Sequence, residues 1–132
     1  MKTSHSLLAA LALASVVASV SLANADPSDY EFQLVKSEIQ KADAAVVDVK
    51  LIDMRSGRPV GDAVIFATRV DMQPDGMEAM TTPAKAMPTT EPGVYSFQTN
   101  LSMEGNWRFS VAAKVQGEEG TVENKLVFKV VQ

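Results

Sequence analysis

The sequence predicts an all-β protein, an antiparallel sandwich of immunoglobulin-like type behind a cleaved export signal. Three observations predict it. Apolar and polar residues alternate with a period of two in several stretches of strand length. Gly- or Pro-containing turns separate those stretches at regular intervals. No segment after the first 25 residues carries the 3.6-residue apolar spacing of an amphipathic helix.

The elements follow in order. Residues 1–25 read as a signal peptide: Lys2 and His5 in a polar start, an apolar run from Leu7 to Ala23, then Ala23-Asn24-Ala25 as a small-x-small cleavage site before Asp26. The apolar run is short for a membrane span and is diluted by Ser15, Ser19 and Ser21. The working domain is then 26–132, enough chain for one two-layer core. Tyr30–Lys36 reads as a first strand and Ser37–Asp43 as a polar turn. In Ala44–Met54, Ala45, Val47, Val49 and Leu51 share one face, with Asp48 and Lys50 on the other. Arg55–Gly61 is a turn, and Asp62–Met72 is a strand rich in β-branched residues. Gln73–Pro92 reads as one long loop, because Pro74, Gly76, Pro83 and Pro88 interrupt any regular element. Val94–Asn100 places Tyr95 and Phe97 together. Leu101–Asn106 is a loop, and Trp107–Gln116 turns Trp107, Phe109, Val111, Ala113 and Val115 inward. After the Gly117–Gly120 turn, Thr121–Val131 turns Val122, Leu126, Phe128 and Val130 inward. The total is about six strands.

Composition removes whole classes of chemistry. The chain has no cysteine, and its single histidine, His5, leaves with the signal. Thiol nucleophiles, Ser-His triads and the common zinc ligand sets are therefore unavailable to the domain. No carboxylate pair stands at a spacing that marks an acid/base site, so the sequence argues against an enzyme. Removal of Lys2 takes the 12 basic residues to 11 against 16 acidic ones, a net charge of −5. With no basic patch, nucleic acid and anionic lipid are poor partners.

The chemistry that remains is that of methionine. Five of the seven methionines fall between Arg69 and Gly105: Met72, Met77, Met80, Met87 and Met103. A thioether is soft and uncharged, and it suits Cu(I) or Ag(I) far better than Zn(II), Mg(II) or Ca(II). No proton competes for the sulfur, so such binding survives acid. The spacing M-x4-M-x2-M-x6-M, with Met103 from a second loop, offers enough donors for three- or four-fold coordination. Two other readings of the same residues stand beside it. Methionine also fills core gaps, as Met72 would at a strand end and Met87 beneath the loop. A methionine-rich surface can also dock a partner protein without metal. Met54 reads as strand end, and Met1 is the start residue. Asp71, Asp75, Glu78 and Glu104 read as residues that solvate the loops, with Pro74-Asp75-Gly76 as a plain turn. Trp107 reads as the core tryptophan, with a minor alternative in which its face meets the metal.

The motifs SGRPVGDAVIFATRVDMQPDGMEAM, EPGVYSF and SMEGNWRFSVAAKVQGEEGTV, spanning about Val46 to Val131, resemble the FixH/YtkA-like periplasmic domains. The resemblance implies an immunoglobulin-like sandwich in the bacterial envelope, associated with copper and heavy-metal handling. It implies efflux pumps of the resistance-nodulation-division type, or their periplasmic adaptors, as partners. By position, Met72, Met77, Met80 and Met103 match the family's methionines, while Met87 falls at a position of variable apolar character. FixH proper carries a membrane anchor and acts in oxidase assembly; this chain shows no such anchor after the signal. Relatives with a loop histidine exist, and its absence here favours Cu(I) or Ag(I) over Cu(II). The expectation is a periplasmic Cu(I)/Ag(I) buffer or delivery protein; the alternative is a metal-independent module that docks onto an efflux-pump adaptor.

Overall fold

The computed structural model describes residues 26–132; the expected signal peptide, 1–25, lies outside the described residues. Ten strands follow one another: β1 (Tyr30–Leu34), β2 (Glu38–Gln40), β3 (Ala42–Asp53), β4 (Arg58–Pro59), β5 (Val64–Met72), β6 (Met77–Thr82), β7 (Ala84–Met87), β8 (Val94–Leu101), β9 (Gly105–Lys114) and β10 (Val122–Val131). One sheet has the order β1-β3-β8-β7, with β4 also paired to β3; the other has the order β2-β10-β9-β5-β6. The alternating strands bury one face and must cover it, and two such sheets packed face to face do so. The result is the immunoglobulin-like arrangement: two five-stranded sheets face each other, with β6 as the edge strand beside β5 in the second. Every ladder is antiparallel except β2 with β10, which is parallel.

The inward faces are the expected ones. Val47, Val49 and Leu51 of β3 are fully buried, as are Phe109 and Ala113 of β9. Phe128 and Val130 of β10 close the same core. Phe97 on β8 and Phe109 on β9 meet between the sheets, ring centroids 5.1 Å apart and tilted by 46°. The Tyr95 hydroxyl donates to the Val60 carbonyl at 2.8 Å and accepts from the Ala63 N–H at 3.1 Å, which fixes the chain leading into β5. Gly93 sits at φ +81 against Pro59, where any Cβ would collide with the proline ring, so the Pro-Gly preceding β8 is a packing requirement.

Three departures from the sequence reading matter. Ser37–Asp43 is not only a turn: β2 forms there and moves the chain from one sheet to the edge of the other. It is three residues long and only its central Ile39 packs against the core, so it leaves no apolar alternation to read. The twenty-residue loop is also overturned. A 3-10 turn (Gln73–Asp75) is followed by β6 and β7, and Pro83 stands where the chain leaves one sheet for the other. A proline costs no ladder bond at a crossing point, and its carbonyl accepts from the Thr99 hydroxyl at 2.9 Å. Both strands lie at sheet edges and expose nearly every side chain, which is why their period is invisible in the sequence. The third departure is β4, two residues within the expected Arg55–Gly61 turn that pair with β3, so ten strands replace six.

The Phe97–Phe109 contact lies between the two sheets, and its removal is testable. Phe109→Ala should lower stability by about 3–5 kcal/mol, as large-to-small changes at buried aromatics do. In urea unfolding the midpoint should fall while the slope stays constant.

Candidate functional site

Met72 ends β5 and is fully buried. Its ladder partner is Met77, the first residue of β6. The next registered pair is Asp71 with Thr81, so Glu78, Ala79 and Met80 form an excursion of the edge strand. Met103 lies in the connection between β8 and β9, two residues before Gly105. The Met72 methyl group is 2.9 Å from where a Cβ on Gly105 would stand. Met72, Met77, Met80 and Met103 thus belong to one end of the sandwich. Met77, Met80 and Met103 are 37, 37 and 39 % exposed, and Met72 lies beneath the surface.

Met87 does not belong to this group. It pairs with Ser96 near the start of β8, whereas Met103 follows the far end of that strand. At a rise of roughly 3.3 Å per residue, the five steps from Ser96 to Leu101 alone separate them by about 16 Å. Met87 lines a groove instead.

Two contacts lock the methionine-bearing connections together. Asp75, in the 3-10 turn, accepts the Asn106 backbone N–H at 2.8 Å through Oδ2 and the Asn106 side-chain amide at 3.0 Å through Oδ1. Those bonds hold its carboxyl below the usual carboxylate range. The Trp107 indole N–H donates to the Met103 carbonyl at 3.0 Å and fixes the second connection. Asp75 is therefore a clamp and not a plain turn residue. Gly105 permits the clamp: its φ is +138, and a Cβ would come within 2.5 Å of Asp75 Oδ2. Trp107 itself is buried in the core, so its ring face is not presented to an ion.

Beneath the excursion lies Asp71, fully buried at the end of β5. Its Oδ2 accepts from Arg69 Nε at 2.8 Å and Arg108 at 2.9 Å, and its Oδ1 accepts the Gln73 backbone N–H at 2.9 Å. Burial pushes the carboxyl up, but the Arg108 bond, the Gln73 N–H and the Arg69 bond together outweigh it and hold the group below its ordinary range. The same arginines reach the excursion. Arg69 donates to the Glu78 carbonyl at 3.1 Å, and Arg108 lies 3.6 Å from the Glu78 carboxylate. Asp71 thus supports β6; it does not solvate a loop, contrary to the expectation from sequence.

This arrangement leaves some carboxylates free and commits others. Both Asp75 oxygens and both Asp71 oxygens are engaged by the protein. Among the described residues no group of three His, Cys, Asp or Glu is placed to hold a metal ion. The Glu78 and Glu104 carboxylates remain exposed beside the thioethers of Met77, Met80 and Met103. Asp71, Asp75, Glu78 and Glu104 outnumber Arg69 and Arg108 nearby, a balance that favours a cation. Sequence reasoning missed Asn106 and Gly105 as functional supports; the Gly-Asn pair after the Met103 loop was the available clue.

Two consequences can be measured. Gly105→Ala should destabilise the domain by about 1–3 kcal/mol through backbone strain, and should show loss of the Asp75–Asn106 contact in amide exchange at Asn106. Asp71→Asn leaves two arginines without their carboxylate, and should cost on the order of 3 kcal/mol at neutral pH. Because the folded Asp71 pKa is depressed, its contribution is complete above the unfolded value near pH ~4 and fades as pH falls through the lower folded value. The gap between wild type and Asp71→Asn in urea should therefore narrow below about pH 4.

Comparison with known proteins places the chain. The YtkA-like family profile matches residues 24–112, starting earlier and stopping sooner than the motif span read from sequence. No curated protein matches the chain in sequence. Among solved structures, the Lin-41 filamin domain is similar at 20% identity, covering 76% of this chain and 91% of its own with a TM-score of 0.46. The ZirS C-terminal domain is similar at 15% identity, covering 86% of this chain and 74% of its own, also with a TM-score of 0.46. No helix among the described residues is long and apolar enough to cross a membrane. With the family profile spanning most of the sandwich, the chain belongs to the YtkA-like family.

Proposed function

We propose that this domain binds a soft monovalent ion, Cu(I) or Ag(I), through the thioethers at one end of the sandwich. In this reading Met77, Met80 and Met103 are the accessible ligands and Met72 is a deeper fourth. The observation that carries it is the clamping together of two methionine-bearing connections, while the Asp71 and Asp75 carboxylates are committed to Asn106, Arg69 and Arg108. Donors held on short strands and a tight turn lose little freedom on binding. Met87 is not a ligand in this proposal, since β8 separates it from the others.

The ion is cargo. The domain holds it in the periplasm and buffers it for, or passes it to, an efflux pump, a periplasmic adaptor of such a pump, or an assembly system. The role is binding and not catalysis, consistent with a mature domain that has neither histidine nor cysteine.

Competition for Cu(I) against a chromophoric chelator, with the 26–132 domain, tests the reading. The wild type should take one Cu(I). Replacing Met77, Met80 and Met103 together by alanine should weaken it by more than about a hundredfold, since changes outside the ligand set already cost up to that much. Met87→Leu should compete as the wild type does. Equal competition by the triple variant and the wild type would reject the proposal.

A further inference from the structure

Away from the methionine end, the sandwich has an open flank. β6 pairs with β5 only at Val70, Asp71 and Met72. From Val64 to Arg69, β5 pairs with β9 on one side and with no strand on the other, among the described residues. β7 is likewise the last strand of its sheet. Between these two edges runs a groove of about 700 Å³, lined by Phe66, Ala67 and Thr68 of β5 and by Ala84, Ala86 and Met87 of β7. Phe66 falls at a register shift between Ile65 and Ala67 and is 56 % exposed, an unusual position for a phenylalanine. At the far end stands Glu91, the only charged residue along the lining. Its carboxylate is in no salt bridge among the described residues.

We infer that this groove receives an extended peptide segment of a partner protein, added as a strand to the free edge of β5. An unpaired strand edge offers a row of backbone donors and acceptors, which an extended chain satisfies and a compact ligand does not. The free stretch of β5 is six residues long, enough to fix one short segment. Alternate side chains of that segment pack on Phe66, Ala84, Ala86 and Met87. Glu91 then selects a lysine or arginine in the segment, and the acidic balance of the domain favours the same choice. The site is separate from the thioether end and stands or falls without it.

A phage-displayed random dodecapeptide library panned on the 26–132 domain tests the inference. Enriched peptides should carry alternating apolar residues with a lysine or arginine. Their synthetic forms should shift backbone amide resonances of β5 and β7. Phe66→Asp should weaken them roughly tenfold or more, as loss of an aromatic anchor does, and Glu91→Lys should remove the preference for a basic residue. Phe66 and Glu91 are exposed, so both variants should keep the wild-type unfolding midpoint. No enrichment, or peptides whose binding ignores both variants, would overturn the inference. A concentration-dependent dimer in sedimentation that Phe66→Asp abolishes would also overturn it, because the groove's occupant would then be a second copy of this chain.

Discussion

A carboxylate buried without solvent must be paired, and Asp71 sets that demand at the end of β5. Two arginines answer it, one from its own strand and one from β9. Once recruited, they also reach the edge strand: Arg69 donates a second nitrogen to the Glu78 carbonyl, and the Arg108 nitrogen that meets Asp71 also approaches the Glu78 carboxylate. An excursion of three residues on an edge strand would otherwise have little to hold it. The position of Met80 therefore depends on a buried ion pair beneath the edge strand.

The second support is steric. Gly105 opens β9 with a backbone conformation that side chains disfavour, and the space left by its missing Cβ is filled by the Asp75 carboxylate and the Met72 methyl group. Asn106 then receives Asp75 with both its backbone and side-chain donors. The connection after β5 and the connection before β9 become one unit, although about thirty residues separate them in the chain. The opposite flank lacks such a device. There β6 departs after three pairs and β5 is left with a free edge beside the exposed Phe66. One end of the molecule is fastened, and one side is unfinished.

Much of this was legible in the sequence. Strands that bury one face alternate, and the alternation in β3, β9 and β10 identified the core residue by residue. Edge strands that bury only a residue or none do not alternate, so β2, β6 and β7 look like turn or loop in the sequence. Prolines reinforced the error: Pro83 marks a change of sheet, which in a one-dimensional reading looks like an interruption. The nearness of Met72, Met77 and Met80 to one turn is readable in the sequence, whereas Met103 comes from a second loop and joins them only through the fold and the family motif. The exclusion of Met87 was not, since it depends on which end of β8 the strand β7 meets. Asp71 and Asp75 looked like solvating residues because their partners, Arg108 and Asn106, lie more than thirty residues away.

For the proposed ion capture, replacing the expected loop by strands alters the physics. Methionines on a flexible loop would close around a cation from many conformations, and each immobilised side chain would cost about 0.5–1.5 kcal/mol in addition to the ordering of the backbone. Here the backbone is already ordered by a ladder, a clamp and a buried ion pair, so only the side-chain torsions remain to be fixed. A soft ion bound to neutral thioethers gains no charge pairing from its ligands, and its affinity rests on geometry more than on electrostatic attraction. Preorganisation of the frame is therefore what such a site most needs. The costly elements at this end, a buried carboxylate and a glycine in a strained backbone conformation, are the ones that supply it.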